Sequence, residues 1–153
     1  MIEKLTVRVY GLLVSEGKVL VSSETFKDKA FTKFPGGGLQ PGEGILEALK
    51  REFREELGIE PESAELFYIN DFFEQSAFDP SAQVISIYYK VSVGKKELES
   101  IHSKTHRQEK THEKHQSLSF RWCLLPELAS ILTFRTDLAA AKKLSLSGKE
   151  LFR

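Results

Sequence analysis

The chain has 153 residues, close to the commonest domain size and long enough to bury a core, so a single domain over 1–153 is expected. Hydrophobic residues make up 41% and charged residues 29%, as in ordinary soluble globular proteins. Lys plus Arg and Asp plus Glu both number 22, and a formal charge of zero argues against a generic polyanion binder, so no nucleic acid polymer is expected as partner.

Leu5 to Val14 is rich in β-branched and apolar residues, and Ser15-Glu16-Gly17 turns the chain into Lys18 to Ser22, which predicts a hairpin. The amino terminus opens directly into this pattern, so no signal peptide is expected. No stretch reaches the length of apolar residues that a membrane span needs, so the expected compartment is the cytoplasm, with no membrane partner. Phe31 to Phe34 predicts a short strand delivering the glycine run Gly36-Gly37-Gly38. Pro41-Gly42 suits the centre of a type II turn, where glycine takes the positive φ.

A helix is predicted from Gly44 to Leu57. Leu46, Leu49, Phe53 and Leu57 recur at helical spacing and form a stripe roughly 80° wide on a 3.6-residue period. Gly58 stands where a left-handed residue would stop the helix. Beside the stripe lie Glu52, Glu55 and Glu56, like charges that repel when solvated and that hard divalent cations reconcile. An acidic helix of this kind also suits a simple solvated face. Between Glu43 and Glu60 there are six acids and three bases, a local excess suited to a cation.

Beyond the helix, Ala64 to Glu74 and Gln83 to Val93 predict two long strands joined through Ser76 to Ser81. Ser119 to Leu124 predicts another, with Pro126 starting a short helix and Asp137 to Leu146 a final helix capped near Thr136. A mixed sheet between helices is the expected α/β architecture. The only cysteine, Cys123, lies among Phe120, Trp122, Leu124 and Leu125 and is expected to be a core thiol. Lys95 to Gln116 is polar and holds all four histidines. His102 with His106, and His112 with His115, have zinc-like spacing, but a solvated charged loop is the expectation, because no apolar framework fixes them.

One stretch changes the weight of the acidic helix. Gly37 to Ile59 fits Gly-x5-Glu-x7-Arg-Glu-U-x-Glu-Glu-x-Gly-U, with U a bulky apolar residue, through Gly37, Glu43, Arg51, Glu52, Phe53, Glu55, Glu56, Gly58 and Ile59, preceded by Phe34-Pro35-Gly36. In this stretch the chain resembles the Nudix hydrolases, the MutT-like superfamily, and the resemblance implies an α/β/α sandwich. Phe53 departs from the pattern by being aromatic where the family generally has an aliphatic residue. By the resemblance, Glu52, Glu55 and Glu56 are metal ligands for Mg²⁺ or Mn²⁺, with Gly37 the loop glycine close to metal and phosphate. Arg51 and Glu43 brace the loop against the helix. The implied reaction is attack of water on a phosphorus of a nucleoside diphosphate linked to another group. Metals at such a site neutralise the diphosphate, lower the pKa of bound water and align the attack, and a glutamate takes the proton.

In the family an acid often stands about six residues before the tryptophan; here that place holds Gln116, which binds substrate or water but is no base. Glu109 and Glu113 lie nearby, so the identity of the base stays open. Gly36, Gly37, Gly38, Lys33 and Gln116 are the candidate substrate contacts. Lys33 and Arg8 are phosphate candidates that also suit solvated strand-face charges. Phe31, Phe72, Phe73 and Phe78 are candidates for base stacking or for packing. Family markers for dinucleoside polyphosphates, ADP-ribose, NADH and coenzyme A are absent or incomplete, which leaves a nucleoside triphosphate or small nucleotide sugar. Two alternatives stand beside this: a Nudix-fold sensor that binds a nucleotide metabolite without hydrolysis, and a prenyl diphosphate isomerase, which needs a cysteine facing an acid. Dimers are common in the superfamily, so a homodimer is among the expected assemblies, though no exposed apolar stripe marks an interface.

Overall fold

The computed structural model describes residues 1–105, 109–110 and 117–151. Its first hairpin joins β1 (Lys4–Ser15) to β2 (Lys18–Phe26), with Glu16 and Gly17 both at positive φ, as a tight two-residue turn matched to the strand twist requires. β3 (Lys29–Lys33) pairs with the outer half of β2, and β4 (Gly36–Gly38) pairs antiparallel with β1. The helix α1 (Ile45–Leu57) follows, then β5 (Ser63–Ile69) and β6 (Ala82–Ser92). After them come α2 (Lys95–Lys104), the two-residue β7 (Glu109–Lys110) and β8 (Ser117–Leu124). A 3-10 turn at Leu125–Glu127 leads into α3 (Leu128–Ile131) and the long α4 (Arg135–Leu151).

The strands run in the order β5-β6-β1-β2-β8-β7, with β3 on β2 and β4 on β1. β1 and β6 are parallel over ten residue pairs from Lys4↔Ala82 to Leu13↔Val91, and the other pairings are antiparallel, so the sheet is mixed. Alternation along β1 assigns its two faces. Val9 and Leu13 pack with Ala48, Leu49, Phe53 and Leu57 of α1. Tyr10 and Leu12 pack with Leu128, Ala140, Ala141 and Leu144 on the other side. The result is the expected α/β/α sandwich.

Several sequence expectations shift. Leu46 is exposed, and Ala48 takes its place in the buried stripe of α1. β2 runs four residues past Ser22, while β5 ends at Ile69 and leaves the segment to Glu74 outside the strand. The supposed solvated loop from Lys95 begins as a helix, because Ile101 is fully buried against the α1 side of the sheet and anchors an otherwise polar stretch. Lys104 then donates to the carbonyl of Leu57, in the last turn of α1. His102 stacks on Trp122 with ring centroids 4.9 Å apart, whereas His106, His112 and His115 lie outside the described residues. Cys123 is buried in the core as expected, and burial pushes its thiol pKa up. Among the described residues no helix is long and apolar enough to cross a membrane.

Candidate active site

The site is assembled where the glycine strand meets α1. Gly38, Gly37 and Gly36 pair with Arg8, Val9 and Tyr10. Gly36 has φ +144°, and a β-carbon there would fall 2.1 Å from the carbonyl oxygen of Val9, so only glycine keeps the strand paired. At Gly37 the obstacle is different: a β-carbon would lie 2.4 Å from Glu52 Oε1. The bare backbone of Gly37 therefore rests directly on a carboxylate of α1.

The turn after β4 closes through the Glu43 N–H donating to the carbonyl of Gln40 at 3.2 Å, with Gly42 at φ +87°. Glu43 is thereby delivered to Arg51, one turn and more into α1. Arg51 donates from Nε to Glu43 Oε2 at 2.9 Å and from Nη2 to Oε1 at 2.7 Å. The same Nη2 reaches the Gly38 carbonyl at 2.9 Å, and Nη1 reaches Glu52 Oε1 at 3.0 Å and Glu55 Oε2 at 3.2 Å. All of its donors on these nitrogens point into one loop–helix junction, an arrangement that lysine has too few donors to copy. The Arg51 hydrogen bonds, helped by the Gln40 amide, hold the Glu43 carboxyl down at about 2. The helix ends at Gly58, whose φ of +72° and N–H bond to the Arg54 carbonyl make the left-handed cap.

Glu56 faces the other way. Its Oε2 accepts the Gly36 N–H at 3.3 Å, and its Oε1 lies 3.9 Å from Lys33 Nζ. Burial raises its pKa to about 7 against the opposing pull of Lys33. Lys33 and Arg8 are not solvated strand-face charges. Lys33 is only 3% exposed, with Nζ donating to the carbonyls of Phe34 and Gly36 and paired with Glu24 Oε1 at 3.0 Å. Burial by itself would lower the Lys33 pKa, but Glu56 and Glu24 outweigh it and the net direction is up. Arg8 donates from Nε to the Tyr10 hydroxyl at 2.6 Å. Neither Glu24 nor Tyr10 stood out in the sequence, because a lone acid past the predicted end of a strand and a core tyrosine carry no distinctive pattern.

Glu52, Glu55 and Glu56 offer the hard oxygen donors that a divalent cation takes. Their charges are at present met by Arg51 and Lys33, and among the described residues no three His, Cys, Asp or Glu side chains converge as a ready metal cluster. Glu55 is 59% exposed, so its side chain is free to turn toward Glu52 and Glu56 at the cost of one weak ion pair. The donor set fits the cation in chemistry. Gln116 and Glu113 lie outside the described residues, as does the side chain of Glu109.

Two connected hollows extend from the carboxylates. An open cleft lined by Glu56, Arg8, Glu24, Phe31 and Phe78 shares all but the first of these residues with a cavity of about 140 Å³ reaching toward Phe134 and Thr136. Phe31 and Phe78 thus face a cavity rather than a closed core, with ring centroids 5.5 Å apart. Phe72 packs under the Arg135 guanidinium, and Phe73 is exposed. Behind the cavity, Asp137 is buried and accepts a hydrogen bond from the Tyr88 hydroxyl. Burial raises the Asp137 pKa to about 6, with Tyr88 and Lys33 opposing the rise. In the sequence Asp137 reads only as the start of a helix.

The NUDIX domain family model matches residues 3–144. No curated protein matches the sequence significantly. Among solved structures, the chain is similar to the MutT NUDIX hydrolase from Burkholderia pseudomallei at 20% identity and a TM-score of 0.69, over 93% of this chain and 99% of that one. It is similar to the ORF135 protein of E. coli at 21% identity and a TM-score of 0.66, over 94% and 90% of the two chains. It also resembles NrtR of Shewanella oneidensis, solved in complex with a 27mer DNA, at 15% identity and a TM-score of 0.63, over 95% of this chain and 63% of that one.

Proposed function

Because the chain belongs to the Nudix family, we propose that it hydrolyses the diphosphate bond of a nucleoside diphosphate linked to another group, such as a nucleoside triphosphate or nucleotide sugar. The observation that carries this reading is the Arg51 junction, which ties Gly38, Glu43, Glu52 and Glu55 into one unit with Gly37 resting on Glu52. A purely solvated acidic face would have no reason to lock a glycine strand onto its carboxylates.

In this reading Glu52, Glu55 and Glu56 hold Mg²⁺ or Mn²⁺, with the Gly37 backbone beside them. Such a cation, when bound, neutralises the diphosphate and lowers the pKa of bound water. Arg51 and Glu43 fix the loop so that Gly36 to Gly38 present backbone to the phosphates. Water forms a new O–P bond as the bridging O–P bond breaks, and one proton leaves the water. A carboxylate receives it, either a glutamate of the helix or one of Glu109 and Glu113, and the released phosphate group departs with the electrons of the broken bond. Arg8, which lines both cleft and cavity, is the candidate to meet a phosphate oxygen. Lys33 holds Glu56 and the Gly36 carbonyl in place, and it also lines the cavity beyond Arg8.

The isomerase alternative loses its geometric basis, since Cys123 is packed in the cluster on the α4 side of the sheet while the glutamates lie along α1. The sensor alternative keeps one specific support, the fold likeness to a DNA-bound protein. The decisive assay incubates the protein with Mg²⁺ or Mn²⁺ and nucleoside triphosphates, sugar nucleotides, ADP-ribose and NADH, and follows phosphate or pyrophosphate release. Turnover of at least one is expected; tight binding of one with turnover of none would overturn the hydrolase reading in favour of the sensor.

A further inference from the structure

The cavity beyond Arg8 carries an unmet chemical demand. Among the described residues three buried side-chain atoms lack a hydrogen-bond partner; one of them, Glu74 Oε2, belongs to a carboxylate that lines this cavity, and a second, Asp137 Oδ2, lies behind its wall. Glu74 lines the cavity directly. Asp137 adjoins it through Thr136, its neighbour in the chain, and through Tyr88, whose ring stacks on the lining residue Tyr10 at 5.2 Å. Unpaired buried acceptors are rare because each forfeits its hydration without return.

The walls say what shape of group would answer them. Phe31, Phe78 and Phe134 form a ring of aromatic contacts with centroids 5.5, 5.7 and 6.3 Å apart. Phe78 is 49% exposed and is held at the rim because Ser76 Oγ accepts the N–H groups of Phe78 and Asp79. Asn70 ties the start of the same segment to β6 by accepting the Ser86 N–H at 2.7 Å, while its amide donates to the Phe72 carbonyl. Glu74 is therefore presented by an ordered segment. Arg135 Nε stands 3.4 Å from Glu74 Oε2, but out of hydrogen-bond alignment, so it offsets charge while leaving the acceptor unfilled.

A flat heteroaromatic ring with N–H donors on its edge suits both features. An ionised carboxylate only accepts. Adenine, guanine and cytosine each carry an exocyclic amine, whereas uracil and thymine present carbonyl oxygens on either side of a single ring N–H. We propose that Glu74 is a specificity-determining residue, selecting amino-bearing nucleobases over uracil and thymine in the Phe31–Phe78–Phe134 cavity. The inference rests on the nucleotide reading of the site.

The test measures kcat/KM of the full chain with Mg²⁺ for ATP, GTP, CTP, UTP and dTTP, and in parallel the binding of the α,β-methylene analogues of ATP and UTP by calorimetry. The wild type should favour at least one amino-bearing base over UTP and dTTP by about tenfold or more. Glu74→Gln, whose amide both donates and accepts, should bring that ratio toward one, with its folding checked by thermal melting. Equal use of all bases by the wild type, or an unchanged ratio in Glu74→Gln, overturns the proposal. Base-selective binding without turnover supports it and sinks only the hydrolase reading. Hydrolysis of non-nucleotide diphosphates, with nucleotides ignored in both assays, overturns it while hydrolysis itself stands.

Discussion

Arg51 grips both carboxylate oxygens of Glu43 across the loop, with Nε at 2.9 Å and Nη2 at 2.7 Å. The pair joins the turn before α1 to the middle of the helix, and through the same guanidinium to Glu52 and the Gly38 carbonyl. Arg51→Lys keeps the charge but loses the fork. It should lower kcat/KM by about tenfold to a hundredfold and stability by about 2 kcal/mol, since charge-assisted hydrogen bonds are lost. Steady-state kinetics and urea midpoints check both, and wild-type values in both would remove Arg51 from the proposed cradle.

The two neighbouring glycines should respond differently to alanine. At Gly37 the clash is with the end of a flexible side chain, so Glu52 swings aside. Gly37→Ala should therefore lose about a hundredfold or more in rate while stability stays within about 1 kcal/mol. At Gly36 the clash is with the Val9 backbone, at a φ of +144°. Gly36→Ala should cost roughly 3 kcal/mol or more. Equal stability loss at both positions would contradict this division.

Glu55→Gln and Glu56→Gln should each reduce the rate by orders of magnitude with near-constant stability. Mn²⁺ added to the wild type should raise Tm by mass action, and the shift should shrink in both variants. Unchanged activity in both would return the helix to a solvated face.

Asp137 makes a pH prediction. Its folded pKa of about 6 is above the ordinary carboxylate value of 3.8. The folded state thus holds the proton more tightly, and the associated stability is present at low pH and lost as pH rises through about 6. Glu56, raised to about 7, adds in the same direction. Asp137→Asn should remove its own share, about 1.4 kcal/mol of the fall in stability between pH 5 and pH 8, and leave the share of Glu56 in place. Denaturant midpoints at the two pH values measure it, and an equally steep wild-type-like profile in the variant would refute it.

Local signals in the sequence were enough for α1, its Gly58 stop, the Pro41-Gly42 turn and the first hairpin, since each depends on backbone preferences within a few residues. The parallel pairing of β1 with β6 was not legible, because it joins segments about 80 residues apart. α2 was hidden for another reason: a helix anchored chiefly by Ile101 leaves almost no periodic trace. For the site, the fixed spacing from Gly37 to Ile59 marked the helix carboxylates, whereas Glu24 comes from β2, Glu74 from the connection between β5 and β6, and Asp137 from α4. Nothing in one dimension groups those three.

Phe53, the aromatic departure in the glutamate motif, is fully buried against β1. A β-carbon on Gly11 would come within 2.5 Å of its ring, so the strand has yielded the volume that the ring occupies. Motif and scaffold are therefore fitted to each other as an exchange of sizes. Grafting this 23-residue stretch onto a related sheet with a larger residue at that strand position would wedge the helix outward and spread the carboxylates. Portability of the chemistry is set on the far side of the helix from the reaction, by a residue that has no side chain.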